Sequence, residues 1–202
     1  MKSENKIVNP WPRHRLHLDL PGDLDVVVAH GSDGLHDVAA LIYGEIDDQP
    51  LVRVHSRCLY GEVFGSRDCD CREQLLASMK LIREAGGGIF IYLDQEGRGA
   101  GLYGKAQGYE LSQQSGIDSF AAYEQLKLNP DSRRYGDAAE LLKKLGIHTV
   151  RLITNNPAKI ETMENAGLIV KRVKLDLVEL GFPIPEEAKK YVESKQRHGH
   201  LI

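Results

Sequence analysis

The hydrophobic positions of this chain form short β-branched runs first and longer stretches with helical spacing later. Three short apolar runs, each bounded by Gly, Asp or Pro, predict strands at 26–30, 39–43 and 51–55. Apolar residues then recur every three or four positions from Glu73 to Ala85, and this spacing predicts a helix that ends at the glycines 86–88.

The second part of the chain alternates predicted strands and helices. The strands are expected at 88–93, 150–154 and 169–175, and the helices at 105–113, 134–145, from Pro157 onward and at 185–195. Strands first and alternating elements afterwards predict an α+β fold, a mixed β-sheet with helices packed around it. We expect a single domain over residues 1–202, in which residues 1–12 are loose.

Composition narrows the possible classes of partner. The 202 residues mix both charge signs and carry a formal net charge of −3, so nothing predicts a nucleic-acid binder, and any affinity for phosphates has to be local. No apolar run approaches transmembrane length, and no signal-peptide core follows the first residues, so a membrane protein is not expected. An odd number of clustered cysteines indicates a reducing compartment, the cytoplasm.

All three cysteines lie in one short segment, Cys58-Leu-Tyr-Gly-Glu-Val-Phe-Gly-Ser-Arg-Asp-Cys69-Asp-Cys71. A disulfide within the Cys69-x-Cys71 pair would be strained. Three thiolates can instead bind one Zn²⁺ at about 2.3 Å each and leave the fourth position to water, as in catalytic zinc sites. The alternatives are a structural site completed by a histidine such as His55, and three buried thiols without a metal.

Two other segments have the character of anion sites. Glu96-Gly-Arg-Gly-Ala-Gly101 follows a predicted strand, and its backbone N–H groups and Arg98 could hold phosphate while Glu96 accepts from the N–H edge of guanine. It lacks the Lys-Ser/Thr of a P-loop, so a plain tight turn is equally compatible. Thr154-Asn-Asn-Pro-Ala-Lys159 joins a strand end to a helix N-terminus, which suits an anion or an ordinary helix cap.

Further motifs accompany these segments along the chain. In order, the set is Arg53-Val-His-Ser56, the three-cysteine segment, Gln74-Leu75, Gln95-Glu-Gly-Arg98, Tyr109, Asp131-x-Arg133 and Thr154-Asn-Asn-Pro-x-Lys159. Together these motifs resemble GTP cyclohydrolase II, the zinc enzyme of the first committed step of riboflavin synthesis. The resemblance runs from about Val38 to the final Gly199-His-Leu-Ile202. By themselves Asp131 is typical of a turn or cap and Tyr109 of a packing aromatic.

The resemblance implies one zinc ion on Cys58, Cys69 and Cys71, with Asp131 as proton acceptor, Arg133 as nucleophile and Tyr109 near the purine ring. It also implies Mg²⁺ on the nucleotide phosphates and a homodimer. The implied nucleotide contacts are Arg53, Val54, His55, Ser56, Arg57, Gln74, Glu96, Gly97, Arg98, Ser119, Thr154 and Lys159.

The implied reaction is a hydrolysis of GTP that opens the imidazole ring. It releases formate and pyrophosphate and leaves 2,5-diamino-6-ribosylamino-4(3H)-pyrimidinone 5′-phosphate. Zinc lowers the pKa of a bound water to about 7, which suits attack on C8 of the purine, and a tyrosine can serve as general acid. An arginine pKa above about 12 makes a transition-state clamp the easier physical role for Arg133.

Several positions depart from the family pattern. Arg57 stands where a glutamate is usual, and Asp94 stands where a basic residue is usual. Ser119, Ala121–Tyr123 and Lys127 also differ from it, and the N-terminal fifth matches poorly. The two charge reversals could form a compensating pair, or they could mark altered specificity.

The departures leave two alternatives to GTP cyclohydrolase II activity. The first is a divergent paralogue that uses another purine nucleotide or stops at the formylated intermediate. The second is a non-catalytic nucleotide-binding homologue with structural zinc. Three thiols without a fourth cysteine argue against the second.

Overall fold

A mixed seven-stranded sheet lies at the centre of the computed structural model, which describes residues 11–17 and 24–202, and its strand order is β1-β2-β3-β5-β4-β6-β7. The strands are β1 Arg13–Leu16, β2 Leu24–His30, β3 Asp37–Gly44, β4 Leu51–Ser56, β5 Gly87–Leu93, β6 Thr149–Ile153 and β7 Ile169–Val173. The helices are α1 Leu59–Glu62, α2 Cys71–Glu84, α3 Gly101–Ser115, α4 Ser119–Gln125, α5 Gly136–Lys144, α6 Pro157–Asn165 and α7 Lys189–Arg197. Short 3₁₀ segments occur at Glu96–Gly99 and Glu186–Ala188.

The sheet changes from antiparallel to parallel at its middle. Strands β1, β2, β3 and β5 pair antiparallel, whereas β5, β4, β6 and β7 pair parallel. Parallel strands end at the same edge, so the segments that follow Ser56, Leu93 and Ile153 lie side by side. Ligand sites of α/β sheets form at this edge.

Helices cover both faces of the sheet. Leu141, Leu142 and Met163, from α5 and α6, are fully buried against one face, and Ala77 and Ile82 of α2 are fully buried against the other. The central strands β4 and β5 are therefore covered on both sides, and this explains why β5 is a continuous apolar run and why Arg53 and His55 of β4 are buried together with its apolar residues.

The α+β fold predicted from the hydrophobic pattern is confirmed. The last strand ends at Val173, two residues before its predicted end, and the final helix spans Lys189–Arg197 behind a 3₁₀ segment. The pattern did not predict β1, α1 or α4. These elements have four, four and seven residues, too few for a period to be recognised.

Most of the N-terminal segment that was predicted to be loose, residues 1–10, lies outside the described residues. Within residues 11–12, which the structure describes, Trp11 packs against the core and the Pro12 carbonyl accepts a hydrogen bond from Val28 N–H at 3.2 Å. The ammonium of Lys144 lies 4.7 Å from the centre of the Trp11 ring. Within the described ranges, no helix combines the length and the apolar character needed to cross a membrane.

Candidate functional site

The three cysteines converge at the carboxyl edge of the sheet. Cys58 follows β4, while Cys69 and Cys71 lie at the start of α2. Their sulfurs all lie within 4.8 Å of one another, and Sγ of Cys58 is 3.7 Å from Sγ of Cys69. Tetrahedral zinc with Zn–S bonds of about 2.3 Å places its sulfurs about 3.8 Å apart, far beyond the ~2 Å of a disulfide. The cluster therefore fits a metal ion.

The cluster keeps its fourth side free of protein ligands. Among the described residues, no histidine, aspartate or glutamate joins the three sulfurs. His55 is turned elsewhere, since its Nε2 lies 2.9 Å from Glu62 Oε1, and burial lowers its pKa to about 4. The alternative of a structural site closed by His55 is thus wrong, and three sulfurs with an open position correspond to the catalytic type of zinc site.

Helices α1 and α3 bring further groups against the sulfurs. A Cβ added at Gly61 would lie 3.0 Å from Cys69 Sγ, so only glycine lets α1 approach this closely. Lys105 of α3 places Nζ 3.2 Å from Cys58 Sγ and 2.7 Å from Glu96 Oε1. Hydrogen bonds from the neighbouring thiols and the charge of Lys105 lower the pKa of Cys58 far below its ordinary value, so this sulfur favours the thiolate form.

A small pocket of about 70 Å³ opens beside the sulfurs, and we call it the thiol pocket. Its lining includes the three cysteines and Ser56, Glu96, Arg98, Tyr109, Ser119, Arg133 and Tyr191. Arg98 has a φ of 55°, the left-handed region that is costly for a side chain other than glycine and that recurs at functional sites. Its guanidinium lies 3.6 Å from the centre of the Phe120 ring and donates to Ser119 Oγ at 3.0 Å. These contacts fix the direction of Arg98.

Glu96 and Tyr109, which also line the thiol pocket, differ in whether protein groups already occupy their polar atoms. Glu96 is engaged inside the protein, because its carboxylate accepts from the N–H of Leu59 at 2.6 Å as well as from Lys105. Tyr109 packs edge-on against Tyr60 at 5.3 Å, and burial followed by the nearby cysteine charge raises its pKa. Tyr109 therefore keeps its proton and can donate it.

A larger pocket of about 210 Å³ adjoins the first, and we call it the cation pocket. Much of its lining is basic or polar and includes Arg53, His55, Ser56, Gln74, Arg133, Thr154, Lys159 and Lys195. Arg53 donates to the Ile153 carbonyl at 3.1 Å and to Gln74 Oε1 at 2.6 Å. Lys159 Nζ donates to the Val54 carbonyl at 2.8 Å. Several cations in one partly buried pocket suit an anionic group such as a phosphate.

Burial shifts the protonation equilibrium of Lys159 toward the neutral amine. Desolvation, followed by the charges of Arg53 and Arg133, lowers its pKa well below the ordinary 10.5. An anion in the cation pocket would favour the charged form and counter that shift.

Asp131 and Arg133 form a bidentate pair. Nε of Arg133 lies 2.8 Å from Asp131 Oδ1, and Nη2 lies 2.5 Å from Oδ2. Burial alone would raise the pKa of Asp131 and lower that of Arg133, but their hydrogen bonds and charges outweigh it, so the Asp131 pKa is lowered and the Arg133 pKa is raised. Arg133 stays charged, and a clamp on phosphate is chemically easier for it than nucleophilic attack.

Two of the predicted site residues are absent from the linings of both pockets. The side chain of Val54 is fully buried in the core, and only its carbonyl reaches the site, through Lys159. Asp131 stands behind Arg133 and acts on the cation pocket through that side chain.

The pair suggested by the two charge reversals is confirmed. Nη1 of Arg57 lies 2.8 Å from Oδ1 of Asp94, at the rim of the thiol pocket.

The residues with site contacts that were not predicted include Asp70, Lys105, Tyr191 and Lys195. Asp70 accepts from Lys195 Nζ at 2.5 Å and from Gln74 Nε2 at 2.8 Å, so it links α7 to the cation pocket. The position of Asp70 between Cys69 and Cys71 was a sequence feature from which its place at the site could have been predicted. Tyr191 and Lys195 carried no such feature, because they lie more than 100 positions from the cysteines.

Comparison with known proteins identifies the family. The model of the family GTP cyclohydrolase II matches residues 13–174. The chain is 41% identical over 194 residues to the riboflavin biosynthesis protein RibBA of Bacillus cereus (strain G9842), and 40% identical over 193 residues to RibBA of Bacillus subtilis (strain 168). These alignments cover 93% and 92% of this chain and 47% of each relative.

A third relative, RibBA of Bacillus cytotoxicus, is 45% identical over 167 residues, which are 81% of this chain and 41% of that protein. The chain thus spans about half the length of the curated relatives it matches. The family model covers most of the chain, and it includes the three cysteines and the ends of β4, β5 and β6. The chain therefore belongs to the GTP cyclohydrolase II family.

Proposed function

We propose that the protein is a zinc-dependent GTP cyclohydrolase II. It hydrolyses GTP to formate, pyrophosphate and 2,5-diamino-6-ribosylamino-4(3H)-pyrimidinone 5′-phosphate. The observation that carries the proposal is the adjacency of an open three-thiol cluster and a cation pocket, with Ser56, Cys71, Arg133 and Tyr191 lining both. A nucleotide that reacts at its base and at its α-phosphate needs two such centres within the length of one ribose.

At the base end, the cysteines would hold zinc, which supplies a Lewis acid and makes water nucleophilic at neutral pH. One water adds to C8 and opens the ring, and a second releases C8 as formate. Tyr109, which keeps its proton, would protonate a ring nitrogen as the C–N bond breaks. Arg98, fixed by Phe120 and Ser119, orients the base.

At the phosphate end, Arg53, Lys159 and Arg133 would bind the triphosphate together with Mg²⁺. A third water attacks the α-phosphorus and pyrophosphate leaves. Arg133 stabilises the negative charge that develops there, and the bidentate Asp131 holds the guanidinium in position. Asp131 as a proton acceptor is less easily reconciled with its lowered pKa.

The decisive experiment incubates purified protein and Mg²⁺ with GTP and measures formate, pyrophosphate and product mass, with zinc measured on the same sample. We expect one zinc per chain and equal amounts of formate and pyrophosphate. A Cys69→Ser variant serves as the matched control and should release no formate. Stoichiometric zinc without formate from GTP would refute the proposed activity.

A second candidate is a paralogue that uses another purine nucleotide or retains the formyl group. The Arg57–Asp94 pair favours it, because it replaces the family's usual charges at the rim of the thiol pocket. The same assay with ATP, ITP and XTP separates the two candidates, and product mass reveals a retained formyl group.

We also propose that residues 1–202 form one domain and that the protein is a homodimer, as the family resemblance implies. Light scattering at several protein concentrations tests the dimer, and a single unfolding transition is expected of one domain.

A further inference from the structure

Tyr191 occupies a position that the roles assigned above do not explain. It lies on α7, beyond residue 174 where the family match ends, and it lines both the thiol pocket and the cation pocket. Its hydroxyl makes no hydrogen bond to any described residue. Burial raises its pKa, so the phenol is a donor at neutral pH. A phenol that lines both pockets and has no hydrogen-bond partner among the described residues is available to a ligand that spans them.

Two cationic side chains lie close to the ring of Tyr191. Nζ of Lys195 lies 4.4 Å and the guanidinium carbon of Arg98 lies 5.5 Å from the ring centre, both within reach of a cation–π contact. Lys195 is itself anchored by the buried carboxylate of Asp70, between two cysteines of the cluster. The position of the phenol is therefore tied to the metal segment.

The chain end holds α7 against the sheet. Leu201 N–H donates to the Asn155 carbonyl at 2.8 Å, and Arg172 donates to the Leu201 carbonyl at 3.0 Å. Asn155 follows β6 at the edge where the two pockets meet. These hydrogen bonds therefore connect the segment after α7, the helix that carries Tyr191, to the edge of the sheet.

Four residues line both pockets, and two of them have other tasks: Cys71 belongs to the cluster and Arg133 is paired with Asp131. The remaining two, Ser56 and Tyr191, offer neutral hydroxyls. The buried Oγ of Ser56 also lacks a hydrogen-bond partner. Ribose is the part of a nucleotide that joins the base to the α-phosphate, and its hydroxyls need neutral donors and acceptors.

We propose that Tyr191 is a specificity residue that hydrogen-bonds a ribose hydroxyl and so selects ribonucleotides over deoxyribonucleotides. This inference rests on the proposed function, because it places the base at the cysteines and the phosphates in the cation pocket. It adds a substrate contact from α7, outside the part of the chain that matches the family model. A site with a hydroxyl aimed at the sugar discriminates against an analogue that lacks the partner hydroxyl.

The test compares wild type with Tyr191→Phe on GTP, 2′-deoxy-GTP and 3′-deoxy-GTP, using kcat/KM for formate release. Losing one neutral hydrogen bond should lower kcat/KM for GTP by about five- to tenfold. At least one deoxy analogue should be turned over equally by both proteins, so the preference for GTP over it should disappear. Tyr103→Phe is the matched control, because Tyr103 is 78% exposed on α3 and should change nothing.

Equal losses on all three nucleotides, or no loss on any, would overturn the role of Tyr191, because a merely structural tyrosine does not change discrimination between sugars. Wild type that releases no formate from any nucleotide would instead refute the proposed function. Titration calorimetry with the same three nucleotides would then test the role of Tyr191, because no turnover interferes with binding. The quantity compared is the ratio of the Kd for each deoxy analogue to the Kd for GTP, in wild type and in Tyr191→Phe. The unfolding temperature of Tyr191→Phe, expected to match wild type, checks that the variant is folded.

Discussion

Reversing the charges of Arg57 and Asp94, singly and together, tests whether this pair replaces the family's usual charges as one unit. Their N–O distance is 2.8 Å, and their side chains are 37% and 44% exposed. Hydrogen bonding and the charge of Asp94 raise the pKa of Arg57, as expected of a real pair. Water still reaches both groups, so the pair is worth about 0.2–1 kcal/mol rather than the several kcal/mol of a desolvated pair.

The single changes Arg57→Glu and Asp94→Arg turn attraction into repulsion of similar size. Each should lower kcat/KM for the nucleotide by up to about tenfold, and Arg57→Glu should be worse because it adds a carboxylate near Glu96. The double variant restores opposite charges. Its kcat/KM should be about threefold higher than the value expected if the two single effects simply added on a logarithmic scale.

The assay is formate release by the four proteins at low and at high salt. The coupling should weaken as salt rises, because an exposed pair is screened. Glu140 and Lys144 of α5 provide the control, because this pair is also exposed, at 57% and 46%, and lines neither pocket, so reversing the two charges should leave kcat/KM unchanged. Strict additivity of the Arg57 and Asp94 effects would refute the reasoning and would assign each residue a separate contact to the substrate.

Three further predictions concern the metal, the clamp and the buried lysine. Cys71→Ser should remove zinc, seen by metal analysis, and abolish formate release; full zinc content would contradict the assignment. Arg133→Ala should suppress pyrophosphate release at any Mg²⁺ concentration, and Asp131→Asn should weaken it about tenfold through the lost charge-assisted contact; a wild-type pyrophosphate yield from Arg133→Ala would refute the clamp. The pKa of Lys159 is lower in the folded chain than in the unfolded chain, so between these two pKa values the unfolded chain binds more protons, and stability rises with pH up to the ordinary lysine pKa of 10.5. The Tm difference between Lys159→Met and wild type should therefore be largest in favour of Met near neutral pH and should shrink as the pH approaches 10; a pH-independent difference would contradict the shift.

The local pattern of the chain was enough to predict the elements that have a readable period. The helix at α2 and the strands β4 and β5 follow from apolar spacing, from β-branched residues and from the glycines 86–88 between α2 and β5. The cysteine cluster was predictable for the same reason, since its ligands lie within 14 consecutive residues and need only one turn to converge. Its open fourth position, by contrast, depended on the orientation of His55, which only the structure shows.

Some contacts between distant segments could be predicted from the sequence, and others could not. The Arg57–Asp94 pair could be predicted because two opposite departures from a family pattern suggest each other. No such signal existed for Lys105, whose approach to Cys58 depends on the packing of α3, or for Tyr191 and Lys195, which α7 brings to the site. A lone lysine or tyrosine in a helix is usually on the surface or in the core, so its type alone carries no functional information.

The sequence by itself thus determined the α+β class, the thiol cluster and the family, because these depend on spacing along the chain and on ordered motifs. Only the tertiary structure decided which groups complete the site. The parallel arrangement of β4, β5 and β6 brings three separate strand ends to one edge. Burial then decided that Asp131 holds Arg133, that Lys159 has a lowered pKa, and that Tyr191 faces both pockets, since desolvation and contact geometry are properties of the packed molecule.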